Sequence, residues 1–367
     1  MSRREKKITK GEFDLFSSSN NFPLIGSWAS KEYNTINPKI SSYEDIDPSI
    51  RDVVSKNHKI YSVSSDPVSV FEINDCIVMP NGVFFINENV VAQSVHDFPL
   101  KNKESLQKPQ SFDRISSEKP VLILSKYGYR NYGHWLIEIM PKIKFIVESG
   151  INLRDVSILV GHTNTKLDKV VRDSLRMILG FEPDLVAIDR PVSIKRAIYC
   201  TPITKHPFKM RPEISELFFE LKSANLSKSK PEKMLFVTRR SANNRFLEGA
   251  KLVESYLVSK GFEVVDPGEL VFSEQIKLFS ASNVVVGIAG AAMTNTVFME
   301  EKAKILHLVP SSMPNLFFYQ LASICKNNYY EFRGEASSKK VSMFSKSFEI
   351  NFSKFEDFFE NIFLPGD

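Results

Sequence analysis

Residues 273–299 read SEQIKLFSASNVVVGIAGAAMTNTVFM, and this stretch decides the fold class. Ser273 is the predicted N-cap of a helix, and a β-branched run follows at residues 284–286. Such a run without alternation is typical of a central parallel strand that is buried on both faces. Gly287 and Gly290 then predict a tight turn before a second helix of small residues. Because a helix that begins past the carboxyl end of a parallel strand offers free N–H groups, we expect a phosphate here.

The two glycines do not establish phosphate binding by themselves. Gly-x-x-Gly lacks the third glycine of the dinucleotide fingerprint and the Gly-Lys-Ser/Thr of a P-loop. A tight structural turn explains the two glycines equally well, because every α/β fold needs such corners. The flanking residues must therefore decide between the two interpretations.

Strands and helices alternate on both sides of this stretch, which predicts parallel sheets with helical crossovers. Short strands with turns at Asn74-Asp75 and Asn81-Gly82 predict a small antiparallel meander upstream. The predicted strands are 120–124, 156–160, 185–188, 194–199, 234–238, 262–265, 284–286 and 304–309, and the predicted helices are 133–149, 167–179, 214–221 and 248–259.

Prolines and a polar run between about 201 and 233 indicate a boundary between two α/β domains. We therefore predict two Rossmann-like domains that face each other across a cleft, preceded by the small antiparallel lead-in. The predicted divisions are an N-terminal domain at 1–205 (irregular lead-in 1–65, β meander 68–95, α/β part 120–200), a linker at 206–233, a C-terminal domain at 234–345 and a closing helix at 346–367.

The composition describes a globular protein of two domains of ordinary size. The 367 residues are 43% hydrophobic and 25% charged, with a net charge of +5. This charge does not demand a nucleic-acid partner, and no nucleic acid is expected. Three separated cysteines predict buried thiols in a reducing compartment. We find no signal peptide and no apolar span, so we expect a cytoplasmic protein. The first residues are either a solvated terminus or a membrane contact through the basic residues Arg3, Arg4, Lys6, Lys7 and Lys10.

Two polar constellations stand where chemistry is expected. His134 and Glu138 are four residues apart, so on a helix they lie on one face. They could serve as a general base and its orienting partner, and the alternative is a helix cap with one solvated ion pair. Arg239, Arg240 and Arg245 follow a predicted strand directly, where guanidinium groups suit phosphate oxygens.

These pieces together resemble glycosyltransferase family 61, which was long catalogued as a capsular polysaccharide biosynthesis domain. The resemblance rests on YGHWLIEIMPKI at 132–143, VTRRSANNRF at 237–246 and ELVFSEQIKLFSASNVVVGIAGAAMTNTVF at 269–298. The order and separation of the motifs also fit, over roughly residues 120–310. The motifs are specific in combination and weak one by one.

The resemblance implies an inverting, metal-independent glycosyltransferase of the GT-B architecture that extends a surface glycan of capsule or lipopolysaccharide type. The donor would be a nucleotide sugar and the acceptor a glycan or lipid-linked glycan, with no cofactor and no metal. The N-terminal domain would take the acceptor and the C-terminal domain the donor. Carried over residue by residue, the catalytic residues are Glu138 and His134, and the donor-binding residues are Arg239, Arg240, Arg245, Glu274, Gly290, Thr294 and Asn295.

The glycine loop departs from the family pattern. The family typically reads Gly-Pro-His-Gly-Ala-Gly-Leu-Thr-Asn, whereas residues 287–295 place Ala289 at the histidine and Ala292 at a glycine. If the family histidine contacts the donor, this protein replaces that contact or uses a different donor. A transferase of another group, pyruvyl or phosphosugar, and a non-catalytic glycan- or nucleotide-binding subunit are the alternatives.

Overall fold

The computed structural model describes residues 12–15, 22–97, 106–225, 230–239, 245–337, 342 and 346–363. The chain divides into two compact units. Unit 1 consists of Met1–Lys31 and Ser65–His206, and unit 2 consists of Glu32–Ser64 and Pro207–Asp367. The basic N-terminal residues predicted as a membrane contact, and Arg240, lie outside the described residues.

The strands, in chain order, are β1 Glu12–Phe13, β2 Leu24–Trp28, β3 Glu32–Asn34, β4 Lys39–Ile40, β5 Ser62–Ser64, β6 Val68–Val78, β7 Phe84–Ile86, β8 Asn89–Val91, β9 Asp113–Arg114, β10 Val121–Ile123, β11 Ser157–Gly161, β12 Leu185–Ile188, β13 Val192–Cys200, β14 Thr204–Lys205, β15 Lys209–Met210, β16 Lys233–Val237, β17 Leu247–Glu248, β18 Glu263–Val265, β19 Ser282–Ile288, β20 Lys304–Pro310, β21 Asn328–Ala336 and β22 Phe348–Glu349.

The α-helices are α1 Pro48–His58, α2 Tyr132–His134, α3 Lys142–Glu148, α4 Thr165–Leu179, α5 Glu213–Asn225, α6 Ala250–Ser259, α7 Phe272–Ser280, α8 Leu316–Ile324 and α9 Phe352–Phe363. A π-helix spans Trp135–Ile139, and 3-10 helices span Ala92–Val95, Leu153–Asp155, Pro267–Glu269 and Ala291–Phe298.

Unit 1 is built on one mixed sheet with the order β1-β8-β7-β6-β13-β10-β11-β12. Strands β13, β10, β11 and β12 are parallel, whereas β6 pairs antiparallel with β13 from Val70 to Val78. The predicted meander is therefore part of the same sheet as the α/β strands. The turn predicted at Asn74-Asp75 is wrong, because this long pairing keeps β6 continuous through it.

Unit 2 contains a sheet whose parallel strands run in the order β18-β16-β19-β20-β21. In sequence terms this is the order 2-1-3-4-5, which is typical of doubly wound α/β sheets. Strand β19, predicted as a central strand, lies between β16 and β20, and its apolar residues are buried or nearly so. In such sheets ligands bind where the strand order reverses, which here is between the carboxyl ends of β16 and β19.

The α/β class is confirmed, but several local predictions are wrong. The lead-in at 1–65 is not irregular, because α1 begins with Asp47 as N-cap and Pro48 at its first turn, a start signal that the sequence analysis missed. The segment Glu32–Ser64 groups with unit 2, because β4 pairs with β21. Unit 1 therefore lacks residues 32–64, which the predicted domain at 1–205 includes. The predicted N-cap Ser273 lies inside α7, whose N-cap is Val271.

Each unit has its own buried apolar cluster. The predicted buried cysteines are confirmed, because Cys76, Cys200 and Cys325 are all buried free thiols. The predicted closing helix corresponds to β22 and α9, and Phe355 and Phe359 of α9 pack into the core of unit 2. Among the helices of the described residues, none is both long enough and apolar enough to cross a membrane.

His307 on β20 is buried in the core of unit 2. Its ring packs against Phe318 at a centroid distance of 4.7 Å and against Tyr329 at 5.4 Å. Burial lowers the pKa of His307 from 6.5 to about 4, because the low-dielectric core disfavours the imidazolium, although the nearby carboxylate of Glu331 opposes this effect. The folded state therefore binds this proton less readily than the unfolded state does.

We predict that His307→Phe makes unit 2 more resistant to acid. As the pH falls from 6.5 to 4, the unfolded state takes up the proton first, so the wild type loses up to about 3 kcal/mol of stability that the variant keeps. Urea unfolding at pH 7.5, 6, 5 and 4.5 measures this difference. His162→Asn, at an exposed histidine, should follow the wild type. Parallel pH curves for wild type and His307→Phe would contradict the prediction.

Candidate active site

The helix predicted at 133–149 is locally widened where its polar residues lie. Residues Trp135–Ile139 form a π-helix, and the N–H of Met140 donates to the carbonyl of Trp135 at 2.9 Å. Pro141 has no N–H, and its ring displaces the carbonyl four residues before it, so the helix is wider here than an α-helix. Single π turns of this kind occur often at functional sites.

The widened turn places the carboxylate of Glu138 in the interior of unit 1. Its side chain is completely buried, and three groups surround it. The Lys126 ammonium pairs with Oε2 and also with Asp97. Nδ1 of His206 lies 2.9 Å from Oε1 in hydrogen-bond geometry. Nδ1 of His134 lies 3.0 Å from Oε2 but makes no hydrogen bond there.

The charges of this cluster are matched inside the protein. Burial alone would raise the pKa of Glu138, but the Lys126 ammonium and the two imidazoles hold it well below its usual range. Burial likewise disfavours the charged form of Lys126, yet Glu138 and Asp97 together raise its pKa above the ordinary value. Glu138 is therefore a carboxylate and Lys126 an ammonium at neutral pH.

Glu138 cannot touch an acceptor directly, because its side chain has no exposed surface. The two imidazoles are reachable, with 27% of the His134 side chain and 37% of the His206 side chain exposed. The sequence analysis left two base assignments open, Glu138 itself or His134 steered by Glu138, and the burial of Glu138 favours an imidazole as the group that contacts an acceptor. Glu138 then acts as a positioning residue.

His206, Lys126 and Asp97 were missed by the sequence analysis. His206 follows β13 and Lys126 follows β10, and these two strands are parallel neighbours. Because carboxyl ends of parallel strands meet at one edge of a sheet, this pairing could have indicated that the two residues lie together. Gly128 was missed too. A side chain there would come within 2.6 Å of Cδ2 of His134, so only glycine leaves room for the imidazole.

The ligand atoms of His134, Glu138 and His206 lie within 4.8 Å of one another, which is close enough to hold a metal ion. The chemistry of the site argues against one as a permanent resident. Glu138 already has a cation at contact distance, the Lys126 ammonium, and a divalent ion would have to displace it or lie beside it. We therefore describe the cluster as a charge-matched carboxylate with two imidazoles.

A second cluster lies in unit 2, at the reversal point of its sheet. Arg239 follows β16 after one residue, and Gly290 follows β19 after one residue. The two strands are hydrogen-bonded neighbours, so the two residues meet at their carboxyl ends. A Cβ atom added to Gly290 would overlap Nη1 of Arg239 and lie 2.7 Å from its Cζ. Gly290 is thus required because the guanidinium packs against its backbone.

Arg245 packs against the same loop. Its Nη1 donates to the carbonyl oxygen of Ala289 at 2.5 Å, so a guanidinium binds the residue that stands where the family has histidine. Burial, and then the charge of Arg239, lower the pKa of Arg245 to about 10. Burial also lowers the pKa of Arg239, while Asp266 opposes this effect. Two partly buried guanidinium groups that repel each other would gain from binding an anion.

A sequence model of the family described as Glycosyltransferase 61 matches residues 132–306. This range includes His134, Glu138 and His206 in unit 1, and Arg239, Arg245 and Gly290 in unit 2. The matched domain belongs to glycosyltransferase family 61. The chain is therefore a glycosyltransferase, which requires a sugar donor and an acceptor in general terms. No curated protein matches the chain.

The family 61 range begins after some residues of the site. Lys126, Gly128 and Asp97 precede residue 132, yet they hold the carboxylate and the imidazole of the matched motif in place. The site of this glycosyltransferase therefore extends beyond the matched domain.

Three residues that the resemblance assigned to the donor have internal roles. Thr294 and Asn295 are buried, and their side chains bond Ala291 O at 2.6 Å and Gln275 Oε1 at 2.8 Å. They lie in the predicted helix of small residues, which is a 3-10 helix at Ala291–Phe298. Glu274 accepts a hydrogen bond from the N–H of Val271 at 3.1 Å, which caps α7. Whether any of them also contacts a donor stays a prediction.

We predict that Gly290→Ala weakens anion binding and leaves the fold intact. The added methyl overlaps the far end of the Arg239 side chain, which can move away at little cost. Stabilisation by pyrophosphate in thermal unfolding should therefore require about tenfold more ligand, equivalent to about 1.4 kcal/mol.

Gly287→Ala is the matched control, three residues earlier on the same segment. Its methyl would overlap Met293 Sδ and lie 2.9 Å from Cβ of Val237, so it should lower the free energy of unfolding by about 1–3 kcal/mol. Equal pyrophosphate responses of wild type and Gly290→Ala would contradict the assigned role of Gly290.

Proposed function

We propose that this enzyme is an inverting, metal-independent glycosyltransferase of the GT-B architecture, with two Rossmann-like domains. It moves a sugar from a nucleotide-activated donor to a hydroxyl of a surface glycan of capsule or lipopolysaccharide type. The observation that carries the proposal is the buried Glu138, whose carboxylate accepts a hydrogen bond from His206 and lies 3.0 Å from Nδ1 of His134, while both imidazoles remain reachable. This is the arrangement that general-base activation of a hydroxyl requires.

The acceptor reacts at the Glu138 cluster of unit 1. An imidazole held by Glu138, assigned from the sequence to His134, takes the proton of the acceptor hydroxyl as its oxygen attacks the anomeric carbon. The bond between that carbon and the phosphate oxygen breaks, and the nucleoside diphosphate leaves with the electron pair. A single displacement inverts the configuration at the anomeric carbon.

The donor binds at the carboxyl edge of unit 2. Arg239 and Arg245 stabilise the negative charge that develops on the departing diphosphate, which is electrostatic preorganisation without a metal ion. Their burial supports this assignment, because a charge–charge contact is stronger away from water. Arg245, bonded to the carbonyl of Ala289, would replace the cationic contact that the family histidine could make.

The cellular setting is also part of the proposal. A nucleotide sugar and a glycan under assembly meet in the bacterial cytoplasm, so we place the enzyme there, with peripheral contact at the inner face of the membrane through its basic N-terminus. Because Ala289 stands where the family has histidine, a different activated donor is the second candidate, and the reaction would then transfer a pyruvyl or phosphosugar group.

We predict that nucleoside diphosphates and one class of nucleotide sugar stabilise the protein against heat. A ligand at 100 times its dissociation constant should add about 2.7 kcal/mol to the free energy of unfolding. A panel of nucleotides and nucleotide sugars, followed by mass spectrometry of released sugar, identifies the donor. No stabilisation by any member of the panel would exclude a nucleotide-sugar donor and favour the pyruvyl or phosphosugar reaction.

With the donor known, Glu138→Gln tests the chemistry. We expect turnover to fall about 100-fold or more, because the imidazole loses its charged partner, while donor stabilisation persists. Glu148→Gln is the matched control in the following helix, since Glu148 is partly exposed and pairs with Lys144 at 3.2 Å. Glu148→Gln should change neither the turnover nor the stabilisation by the donor. Unchanged turnover in Glu138→Gln would remove this cluster from the mechanism.

A further inference from the structure

We propose that the imidazole of His206, held by Glu138, is the catalytic base for the acceptor hydroxyl. This inference rests on the proposed transfer, and it moves the base from the His134 position that the family motif indicates. Nothing in the sequence motif points to His206, which lies 68 residues from Glu138 along the chain.

Hydrogen-bond geometry separates the two imidazoles. Nδ1 of His206 lies 2.9 Å from Oε1 of Glu138 at an acceptable angle, so the Nδ1–H donates to the carboxylate. Nδ1 of His134 lies 3.0 Å from Oε2 but makes no hydrogen bond there. A base that accepts a proton at Nε2 needs Nδ1–H aligned with a carboxylate, because that bond fixes the tautomer and stabilises the imidazolium.

Solvent exposure and packing also favour His206 over His134 as the base. The His206 side chain is 37% exposed and the His134 side chain 27%. The Cδ2–Nε2 edge of His134 lies against the backbone of Gly128, where an added Cβ would be 3.0 Å from Nε2. The two ring centroids are 5.3 Å apart, so His134 also supports the ring of His206. His134 is then a positioning residue.

The carboxylate of Glu138 stays ionised through the reaction. The acceptor O–H bond breaks and its proton moves to Nε2 of His206, while the oxygen forms its bond to the anomeric carbon and the diphosphate leaves with its electron pair. Nδ1–H remains bonded to Oε1. The Lys126 ammonium pairs with both Glu138 and Asp97, so one positive charge faces two negative charges before the step, and the imidazolium that forms supplies the second positive charge.

Asparagine substitutions test the assignment. His206→Asn keeps an N–H donor near the Nδ1 position and removes Nε2, so it preserves the contact with Glu138 and deletes the base. We expect turnover to fall about 100-fold or more, with donor stabilisation unchanged. The turnover of His134→Asn should fall less than about tenfold, because asparagine can partly take over the role of a positioning residue. His162→Asn, at an exposed histidine 3.1 Å from Asp168, is the control and should behave as wild type.

Added imidazole distinguishes chemistry from structure. His206→Gly should regain at least several-fold of its turnover in buffered imidazole, whereas His134→Gly should not. A His206→Asn variant within tenfold of wild type, or a loss in His134→Asn as large as that in His206→Asn, would overturn the proposal. So would rescue of His134→Gly alone.

A chemical probe tests the inference even if no donor is found. Diethyl pyrocarbonate acylates accessible neutral imidazoles, and peptide mass spectrometry gives the rate at each histidine. We expect His206 to react in the wild-type protein and its rate to change at least threefold in Glu138→Gln, with the rate of His162 unchanged. An unreactive His206 would overturn the inference alone, whereas failure of the donor panel would count against the proposed transfer.

Metal analysis of the purified protein is the last test of the assignment of His206 as the base. A stoichiometric divalent ion, whose removal abolishes turnover and whose return restores it, would overturn the proposal. Both imidazoles would then be ligands instead of bases. Full turnover after chelation would support it.

Discussion

Burial of the Glu138 carboxylate is the constraint on which the rest of unit 1 depends. A lone buried carboxylate would lose its charge, because desolvation raises its pKa. The ammonium of Lys126 prevents this, and Asp97 in turn matches Lys126, so charge alternates through the cluster. Removing Lys126 or Glu138 leaves a buried charge without its closest partner, which typically costs several kcal/mol. The site is therefore also part of the stability of the unit.

The same geometrical rule produces the clusters of both units. Carboxyl ends of neighbouring parallel strands bring residues from distant parts of the chain to one edge. In unit 1 this joins Lys126 after β10 to His206 after β13, and in unit 2 it joins Arg239 after β16 to Gly290 after β19. The first cluster gathers opposite charges in the interior, whereas the second gathers like charges that favour an anion.

The sequence predicted what depends on local pattern. The β-branched run at 284–286 predicted the central parallel strand, and the helix predicted at 167–179 corresponds to α4, which ends at Gly180 with a φ of +70°. The pair His134 and Glu138 was recognised from its helical spacing. Gly290 was recognised too, although its reason is the space occupied by the Arg239 guanidinium and not a left-handed backbone, since its φ is 174°.

The rest depended on contacts between residues that are far apart in sequence. Pairing with β13 on both sides keeps β6 continuous through Asn74-Asp75, although Asp75 has a φ of +51°. Pairing of β4 with β21 draws the segment Glu32–Ser64 into unit 2. The burial of Glu138 could not be read from its spacing either, because an α-helical His–Glu pair is usually solvated, and only the π turn before Pro141 carries this carboxylate inward.

The π turn also explains why the spacing of His134 and Glu138 indicates His134 as the base, whereas the geometry favours His206. An i, i+4 pair in an α-helix would align His134 with Glu138, and the base would then belong to the motif. In the widened helix Nδ1 of His134 lies 3.0 Å from Oε2 of Glu138 without a hydrogen bond, and Oε1 of the carboxylate instead accepts one from His206. The helix thus supplies the carboxylate, and His206, directly after β14, supplies the ring best placed to use it.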